Sequence, residues 1–224
     1  MNKTLLATGL AIAFAFAGMQ ASAQDGQNQY LGMSPAEMAE KIIMESGSLN
    51  LAEPTQDGRT ARERMQQDEA QRLCSTTRGE APDAELAGQV IALARESITR
   101  PEGGVQLGDW RRGEAIAREG AGFRVGTRVD NHANRAPGGN CYACHAMSPN
   151  EIAYGTLGPS LTGYGKTRGT SEAMLNYVYE VVYNSHTYFP CSNMPRFGAA
   201  GVLTHEQILD AMAYLLDPES PVNQ

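Results

Sequence analysis

Two cysteines and a histidine lie together in the pentapeptide Cys141-Tyr142-Ala143-Cys144-His145. The C-x-x-C-H spacing is typical of covalent c-type haem attachment. Two thiols at this spacing can add to the two vinyl groups of a haem, and the next residue then places its imidazole where it binds the iron. The sequence therefore predicts one covalent haem c, attached through Cys141 and Cys144, with His145 as the proximal iron ligand.

Two other kinds of site also use a C-x-x-C pair. A thiol–disulfide redox motif needs no histidine after it. A structural zinc site needs a second pair of ligands at a suitable spacing. The remaining cysteines stand alone and the remaining histidines do not pair in the sequence; these residues are Cys74, Cys191, His132, His186 and His205. Haem is the favoured interpretation, and a redox or zinc site is the alternative.

The iron needs a ligand on its other face, and the chain contains ten methionines. Met194 precedes a proline in a predicted loop between two helices, about fifty residues after the pentapeptide, which fits a His/Met cytochrome c. We predict Met194 as this ligand, with His186 or the Cys191 thiolate as alternatives. A thioether ligand raises the reduction potential, and a filled sixth position argues against peroxidase or oxygen chemistry at this haem.

Further residues are candidates for contacts around the haem. In cytochromes c, a proline at the place of Pro159 offers its carbonyl to the Nδ1–H of the proximal histidine, which fixes the ring and tunes its basicity. We expect Pro159 to do the same for His145. Tyr164, Lys166 and Arg196 are candidates to donate hydrogen bonds to the haem propionates, and ordinary solvated side chains are the alternative interpretation of these three.

Cys74 and Cys191 are left over once the haem has taken two cysteines. In an oxidising compartment two leftover cysteines most simply form a disulfide. This bond would join the N-terminal part of the chain to the Met194 loop, and closing so long a loop would stabilise the protein by about 4–5 kcal/mol. The alternative is a free Cys191 thiol beside the haem.

The beginning of the chain has the pattern of a cleaved Sec signal peptide. Met1-Asn2-Lys3 is followed by an apolar run over 5–18 and then by Ala21-Ser22-Ala23. These are a charged n-region, a short h-region and an A-x-A cleavage site. The run is shorter than the about 20 residues of a membrane span. We expect residues 1–23 to be removed near Gln24 and the protein to be periplasmic; an uncleaved anchor is the alternative.

The net charge of the chain is −7, and the loss of Lys3 with the leader would make it −8. An acidic chain is a poor candidate for binding nucleic acid or anionic lipid. The composition therefore favours protein partners, with no nucleic acid and no membrane among them.

Periodicity and capping signals predict an all-α protein in two parts. Residues 24–104 form a helical N-terminal extension, with helices starting after Ser34, over 59–73 and over 84–99. The alternative is a partly disordered leader. Residues 105–224 form a second domain with helices over 110–119, 171–185 and 204–216. Helices and long glycine-rich loops around one haem describe a cytochrome c-like domain, whose first and last helices would cross at Gly113 and Tyr214.

From about residue 108 to 216 the sequence resembles the SoxX subunit of the SoxAX cytochrome complex of thiosulfate-oxidising bacteria. The residues that carry the resemblance are Gly139-Asn140-Cys141-Tyr142-Ala143-Cys144-His145, Gly155-Thr156-Leu157-Gly158-Pro159-Ser160-Leu161, Gly163-Tyr164-Gly165, Met194-Pro195-Arg196-Phe197-Gly198 and Leu203-Thr204-His205-Glu206-Gln207-Ile208. The C-x-x-C-H motif alone is shared by all c-type cytochromes, and the combination is more specific. The extension lies outside the resemblance.

The resemblance implies a partner and a reaction. In that family the complex joins thiosulfate oxidatively to a cysteine of the carrier protein SoxYZ, an L-cysteine S-thiosulfotransferase reaction that releases two electrons. The bond forms on the SoxA subunit, and the SoxX haem passes the electrons to a downstream acceptor. The resemblance thus implies a heterodimer with a SoxA-like cytochrome, with Cys141 and Cys144 holding the haem and His145 and Met194 binding its iron.

Two other functions compete with this one. A free-standing periplasmic electron shuttle would use the same haem without any tie to sulfur oxidation, and it would need no extension. A haem sensor or peroxidase would need an open or labile sixth position, which Met194 would fill. The residues alone indicate haem, export and electron transfer, and only the resemblance points to thiosulfate.

Overall fold

The computed structural model describes residues 30–55, 57–122 and 136–224. Within these ranges the regular structure is helical, with no β-strand and one isolated β-bridge between Pro54 and Thr60. The predicted all-α class is confirmed. None of the described helices is long and apolar enough to cross a membrane. The predicted leader, residues 1–23, and His132 lie outside the described residues.

Over residues 30–55 and 57–104, the extension forms four α-helices, and capping side chains start each of them. They are α1 over Pro35–Ala39, which continues as a π-helical turn over Glu40–Glu45, α2 over Ala61–Met65, α3 over Glu69–Ser75 and α4 over Ala84–Glu96. The Ser34 capping box predicted from the sequence is present, with the hydroxyl accepting a hydrogen bond from the Glu37 amide. The helical character expected of this part of the chain is confirmed.

The single helix predicted over 59–73 is wrong, because the segment contains two helices. Gln66 takes extended backbone with ψ 130°, which ends α2. Asp68 then caps α3, and its carboxylate accepts a hydrogen bond from the Gln71 amide at 2.9 Å. A side chain that competes for backbone amides favours a helix start over a helix interior, and this explains the break.

In the described residues of its second part, the chain has four α-helices and three short 3₁₀ turns. The helices are α5 over Trp110–Arg118, α6 over Tyr164–Arg168, α7 over Glu172–Tyr183 and α8 over His205–Leu216, and the turns cover Cys141–Ala143, Ser185–Thr187 and Pro221–Asn223. Asp109 caps α5 and Thr204 caps α8, as the sequence predicts. Helix α6 was not expected, since it follows directly from a glycine-rich stretch.

Helices α5 and α8 pack against each other at a point where no side chain fits. A Cβ at Gly113 would lie 2.0 Å from the Asp210 carbonyl oxygen and 2.8 Å from the Tyr214 Cβ. The buried Asp210 carboxylate binds Arg112 Nε at 2.7 Å and accepts a hydrogen bond from the Asp109 amide at 2.7 Å. The predicted contact between Gly113 and Tyr214 is therefore present, and it fixes α5 on α8.

The face that α7 buries is wider than the predicted one, most of whose residues do pack against the core. The period indicates Met174, Leu175, Val178, Val181 and Val182 as the inward residues. The structure buries Val178 with Tyr179 and Tyr183, and leaves the other four half-buried. Both tyrosines turn towards the extension, where Tyr179 Oη donates to the Thr99 carbonyl at 2.8 Å. Contacts with the extension therefore widen the buried face of α7 beyond the predicted residues.

The extension packs on the rest of the chain through α4 and the residues that follow it. Val90 and Ala94 of α4 are buried. Ser97 Oγ accepts a hydrogen bond from Asn184 Nδ2 at 2.9 Å, and Arg100 forms an ion pair with Glu180. Helix α1 and its π-helical turn bury no residue. Helix α4 and the residues after it therefore attach the extension to the second part of the chain.

Candidate haem attachment site

The pentapeptide is folded into one tight turn that gathers its three functional residues. Asn140 takes a left-handed conformation with φ 45° just before the turn. The amides of Cys144 and His145 both donate to the Cys141 carbonyl, at 3.1 and 2.9 Å. Both thiols are half-buried and not in a disulfide. Burial raises the pKa of the Cys141 thiol to about 11.

His145 is oriented by a backbone carbonyl. Its Nδ1 lies 2.7 Å from the Pro159 oxygen. Because a carbonyl only accepts, Nδ1 carries the proton and Nε2 carries the lone pair. This is the contact that the sequence analysis expected of Pro159, and it leaves Nε2 as the nitrogen that can bind a metal.

A glycine-rich segment lies directly against the pentapeptide. The Gly155 amide donates to the Tyr142 carbonyl at 2.8 Å and the Gly158 amide donates to the Cys144 carbonyl at 2.9 Å. A Cβ at Gly158 would lie 2.2 Å from Cε1 of His145. The glycine is therefore needed for the close approach that brings the Pro159 carbonyl to the imidazole.

Met194 lies in the loop between the Ser185–Thr187 turn and α8. Its carbonyl accepts a hydrogen bond from Ser185 Oγ at 2.8 Å, and its amide donates to Ser192 Oγ at 3.1 Å. Its half-buried side chain packs against the same hydrophobic core as Cys141. Phe197 comes close to the thiol region, since a Cβ at Gly139 would lie 3.1 Å from Cys141 Sγ and 3.8 Å from Phe197 Cε1.

Of the two alternative axial ligands, Cys191 is bonded elsewhere, whereas the buried Nδ1 of His186 has no hydrogen-bond partner among the described residues. Cys191 forms a disulfide with Cys74, which is the pairing expected from the sequence. His186 is buried and its Nε2 donates to the Ser192 carbonyl at 3.2 Å. Burial lowers the pKa of His186, so the neutral ring is favoured. Through this hydrogen bond, His186 holds the backbone of the loop two residues before Met194.

The three candidate propionate donors occupy different surroundings. Tyr164 is half-buried, and its hydroxyl lies 4.0 Å from Met174 Sδ. Lys166 is exposed. Arg196 forms an ion pair with Asp68 of the extension, with Nη1 2.7 Å from Oδ2. The structure thus gives Arg196 a partner that the sequence analysis did not foresee.

Tyr142, the first spacer residue of the pentapeptide, is a structural anchor that the sequence analysis missed. Its hydroxyl lies 2.6 Å from the Tyr214 hydroxyl of α8 and accepts a hydrogen bond from the Ser148 amide at 3.1 Å. The Arg118 guanidinium lies 4.8 Å above its ring. The partners are up to 72 residues away in sequence. The only local signal is an aromatic residue inside the motif.

Two further features concern ligand binding near the pentapeptide. A groove of about 540 Å³ is lined by Arg118, Asn140, Tyr142, Ala143, Glu151, Ala153, Tyr154 and Gly155. Neither thiol nor His145 lines it. Leu157, next to Gly158, is 70% exposed. Among the described residues, no three His, Cys, Asp or Glu side chains form a cluster that could hold a metal ion.

Comparison with known proteins gives one informative relative. No family model matches the chain. An uncharacterized lipoprotein of Aquifex aeolicus (strain VF5) is 42% identical over 158 residues, which cover 70% of this chain and 73% of the relative. The aligned region thus covers more than two thirds of each chain.

Proposed function

For this chain, which belongs to the same family as the Aquifex aeolicus lipoprotein, we propose the function of an exported c-type cytochrome with one covalent haem. The observation that carries the proposal is a pair of free thiols, Cys141 and Cys144, next to a histidine whose Nδ1 is held by the Pro159 carbonyl. We propose a cytochrome c-like fold in which the α5–α8 pair supports the pentapeptide. The leader pattern supports export to the periplasm, and the name of the relative, a lipoprotein, is compatible with export.

The residues at the site fit the group that the proposal requires. Cys141 and Cys144 would hold haem c through thioether bonds, and His145 and Met194 would bind its iron. The haem supplies reversible one-electron transfer when bound. The Pro159 carbonyl keeps the imidazole in one orientation and tautomer. The Met194 carbonyl accepts a hydrogen bond from Ser185, and the Met194 amide donates one to Ser192, so the backbone is held on both sides of this residue.

We further propose that the chain is the electron-accepting subunit of a SoxAX-like complex. Its partners would be a SoxA-like cytochrome, a SoxYZ-like carrier protein bearing the thiosulfate-accepting cysteine, and a downstream electron acceptor. The support comes from the G-x-x-G-P-S-L and M-P-R-F-G motifs at residues 155–161 and 194–198. Transferase activity would belong to the two-subunit complex, and this chain would carry electrons.

The Met194→Ala variant tests the haem site. The full chain, produced in cells that attach haem c, should keep its haem after denaturing extraction. In the variant the sixth position opens, so the ferrous form should bind carbon monoxide and the reduction potential should fall. Met174→Ala, which truncates a half-buried methionine of α7, is the matched control and should do neither. A chain without covalent haem would contradict the cytochrome, and an unchanged spectrum in Met194→Ala would contradict the ligand.

A free-standing electron shuttle is the second candidate, and one observation favours it. The extension packs on its own chain through Val90, Ala94 and Ser97, so its order needs no partner. Purification from thiosulfate-grown cells separates the two candidates. A stoichiometric second cytochrome, with a haem here that thiosulfate and carrier protein reduce, supports the complex. A monomer that thiosulfate and carrier protein do not reduce supports the shuttle.

A further inference from the structure

The extension holds the loop around Met194 by covalent and ionic contacts that come from α2 and α3. The first is the Cys74–Cys191 disulfide, which fixes the loop three residues before Met194. Cys191 takes a left-handed conformation with φ 61°. A residue with a Cβ seldom adopts this conformation unless its surroundings impose it. The disulfide is one such constraint on the backbone that leads into Met194.

The second contact lies just after Met194. Arg196 is mostly buried, with 13% of its side chain exposed, and its Nη1 lies 2.7 Å from Asp68 Oδ2. Asp68 caps α3, the helix that also carries Cys74. One short helix therefore contacts the loop on both sides of Met194, through a disulfide before it and an ion pair after it.

The third contact lies at the end of the loop. The Ala200 carbonyl accepts hydrogen bonds from Arg64 Nη1 at 2.7 Å and from Arg59 Nη2 at 3.2 Å. Asp57 Oδ2 lies 2.8 Å from Arg64 Nη2 and 2.6 Å from Arg59 Nε. The carboxylate thus holds both guanidinium groups where they meet the loop.

We propose that α2 and α3 of the extension are a positioning segment for the sixth iron ligand, with Cys74, Asp68 and Arg64 holding the Met194 loop. The inference rests on the proposed haem function and assigns the extension a role within it. Within its own part of the chain, Met194 is held by backbone hydrogen bonds with Ser185 and Ser192. Loosening the contacts from the extension frees the loop and lets the thioether leave the iron.

Two variants and one matched control test this in the haem-loaded full chain. Asp68→Asn weakens the ion pair with Arg196, and the double variant Cys74→Ser/Cys191→Ser removes the disulfide. Glu69→Gln is the control, because it neutralises the neighbouring carboxylate, whose partner is the exposed Arg72 of the same helix.

Two measurements are made on each protein. Hydrogen–deuterium exchange reports opening of residues 192–198, and the sulfur-to-iron charge-transfer absorption of the ferric haem reports Met194 ligation. In Asp68→Asn we expect about tenfold faster exchange in this loop, with α7 and α8 unchanged, and a loss of the absorption band. In the double variant, whose global stability also falls, we expect faster loop exchange and the same loss of the band. Glu69→Gln should match the wild type in both.

The outcomes separate this inference from the function on which it rests. A wild-type protein with the sulfur band, and both loop variants indistinguishable from it, overturns the positioning segment and leaves the cytochrome intact. Faster loop exchange with an intact band also overturns it, since the contacts would then hold the loop without holding the ligand. A wild-type protein that lacks covalent haem or the band overturns the proposed function itself.

Discussion

The imidazole of His145 is held from two sides. Pro159 binds its Nδ1 at 2.7 Å, and the backbone of Gly158 lies so close that a Cβ there would be 2.2 Å from the ring. Gly158→Ala should push the ring away from the Pro159 carbonyl and lower the free energy of unfolding by about 1–3 kcal/mol, the usual cost of overpacking. Urea unfolding measures the loss, and the haem spectrum reports the change at the ring.

Gly122→Ala is the matched control for this substitution. Gly122 lies in a loop, and a Cβ there would meet no atom of the described residues within 4 Å. The unfolding free energy and the haem spectrum of Gly122→Ala should match those of the wild type. Equal behaviour of the two alanine variants would mean that Gly158 does not limit the position of the imidazole.

The residues of the site divide by the range of their contacts. Cys141, Cys144 and His145 could be predicted because their chemistry depends on spacing within five residues. Tyr142 could not, because its partner Tyr214 is 72 residues away. Asp68 could not either, since its ion pair with Arg196 joins two segments that no local pattern relates.

At the scale of helices, the contact between α5 and α8 depends on Gly113. A glycine inside a helix costs about 1 kcal/mol relative to alanine, so alanine would suit α5 taken alone. In the folded chain the added Cβ would lie 2.0 Å from the Asp210 carbonyl oxygen, and the two helices would have to separate. We expect Gly113→Ala to lower the free energy of unfolding by about 1–3 kcal/mol, measured with urea.

The opposite result is expected at Gly88, which serves as the control. It lies within α4, and a Cβ there would meet no atom within 4 Å. Gly88→Ala should stabilise the chain by up to about 1 kcal/mol through helix propensity alone. If Gly113→Ala behaves like Gly88→Ala, the helices do not depend on this close contact.

Capping signals and periodicity predicted well where helices form, but they did not always predict which face of a helix is buried. Thr204 and Asp109 start α8 and α5 as predicted, since a cap is a local signal. The buried face of α7 was predicted in part: Val178 and most of the other predicted residues do pack against the core, but the buried Tyr179 and Tyr183 were missed, because a period reveals one apolar stripe. Tyr179 and Tyr183 stack their rings with His205 of α8 and bond their hydroxyls to Thr99, which is a contact between distant segments.

At the scale of the whole molecule, the extension and the second domain share one set of contacts. Val90 and Ala94 are buried between them, and the Cys74–Cys191 disulfide closes a sequence separation of 117 residues. The sequence suggested two parts that meet at residues 104 and 105, yet the shared contacts favour unfolding in one step. The charge and length of the extension did not reveal this, because its apolar residues are few and α4 packs near the distant Ser185–Thr187 turn.

The disulfide supplies the last prediction. Cross-linking residues this far apart restricts the unfolded chain strongly, so selective reduction of Cys74–Cys191 should lower the free energy of unfolding by about 4–5 kcal/mol. The difference is measured by urea unfolding with and without a phosphine reductant, and far-ultraviolet circular dichroism detects the unfolding. The Cys74→Ser/Cys191→Ser variant should already show the lower stability and should not respond to the reductant. A wild-type midpoint that is unchanged by complete reduction would show that the noncovalent contacts of Asp68, Arg64 and α4 are sufficient to hold the extension.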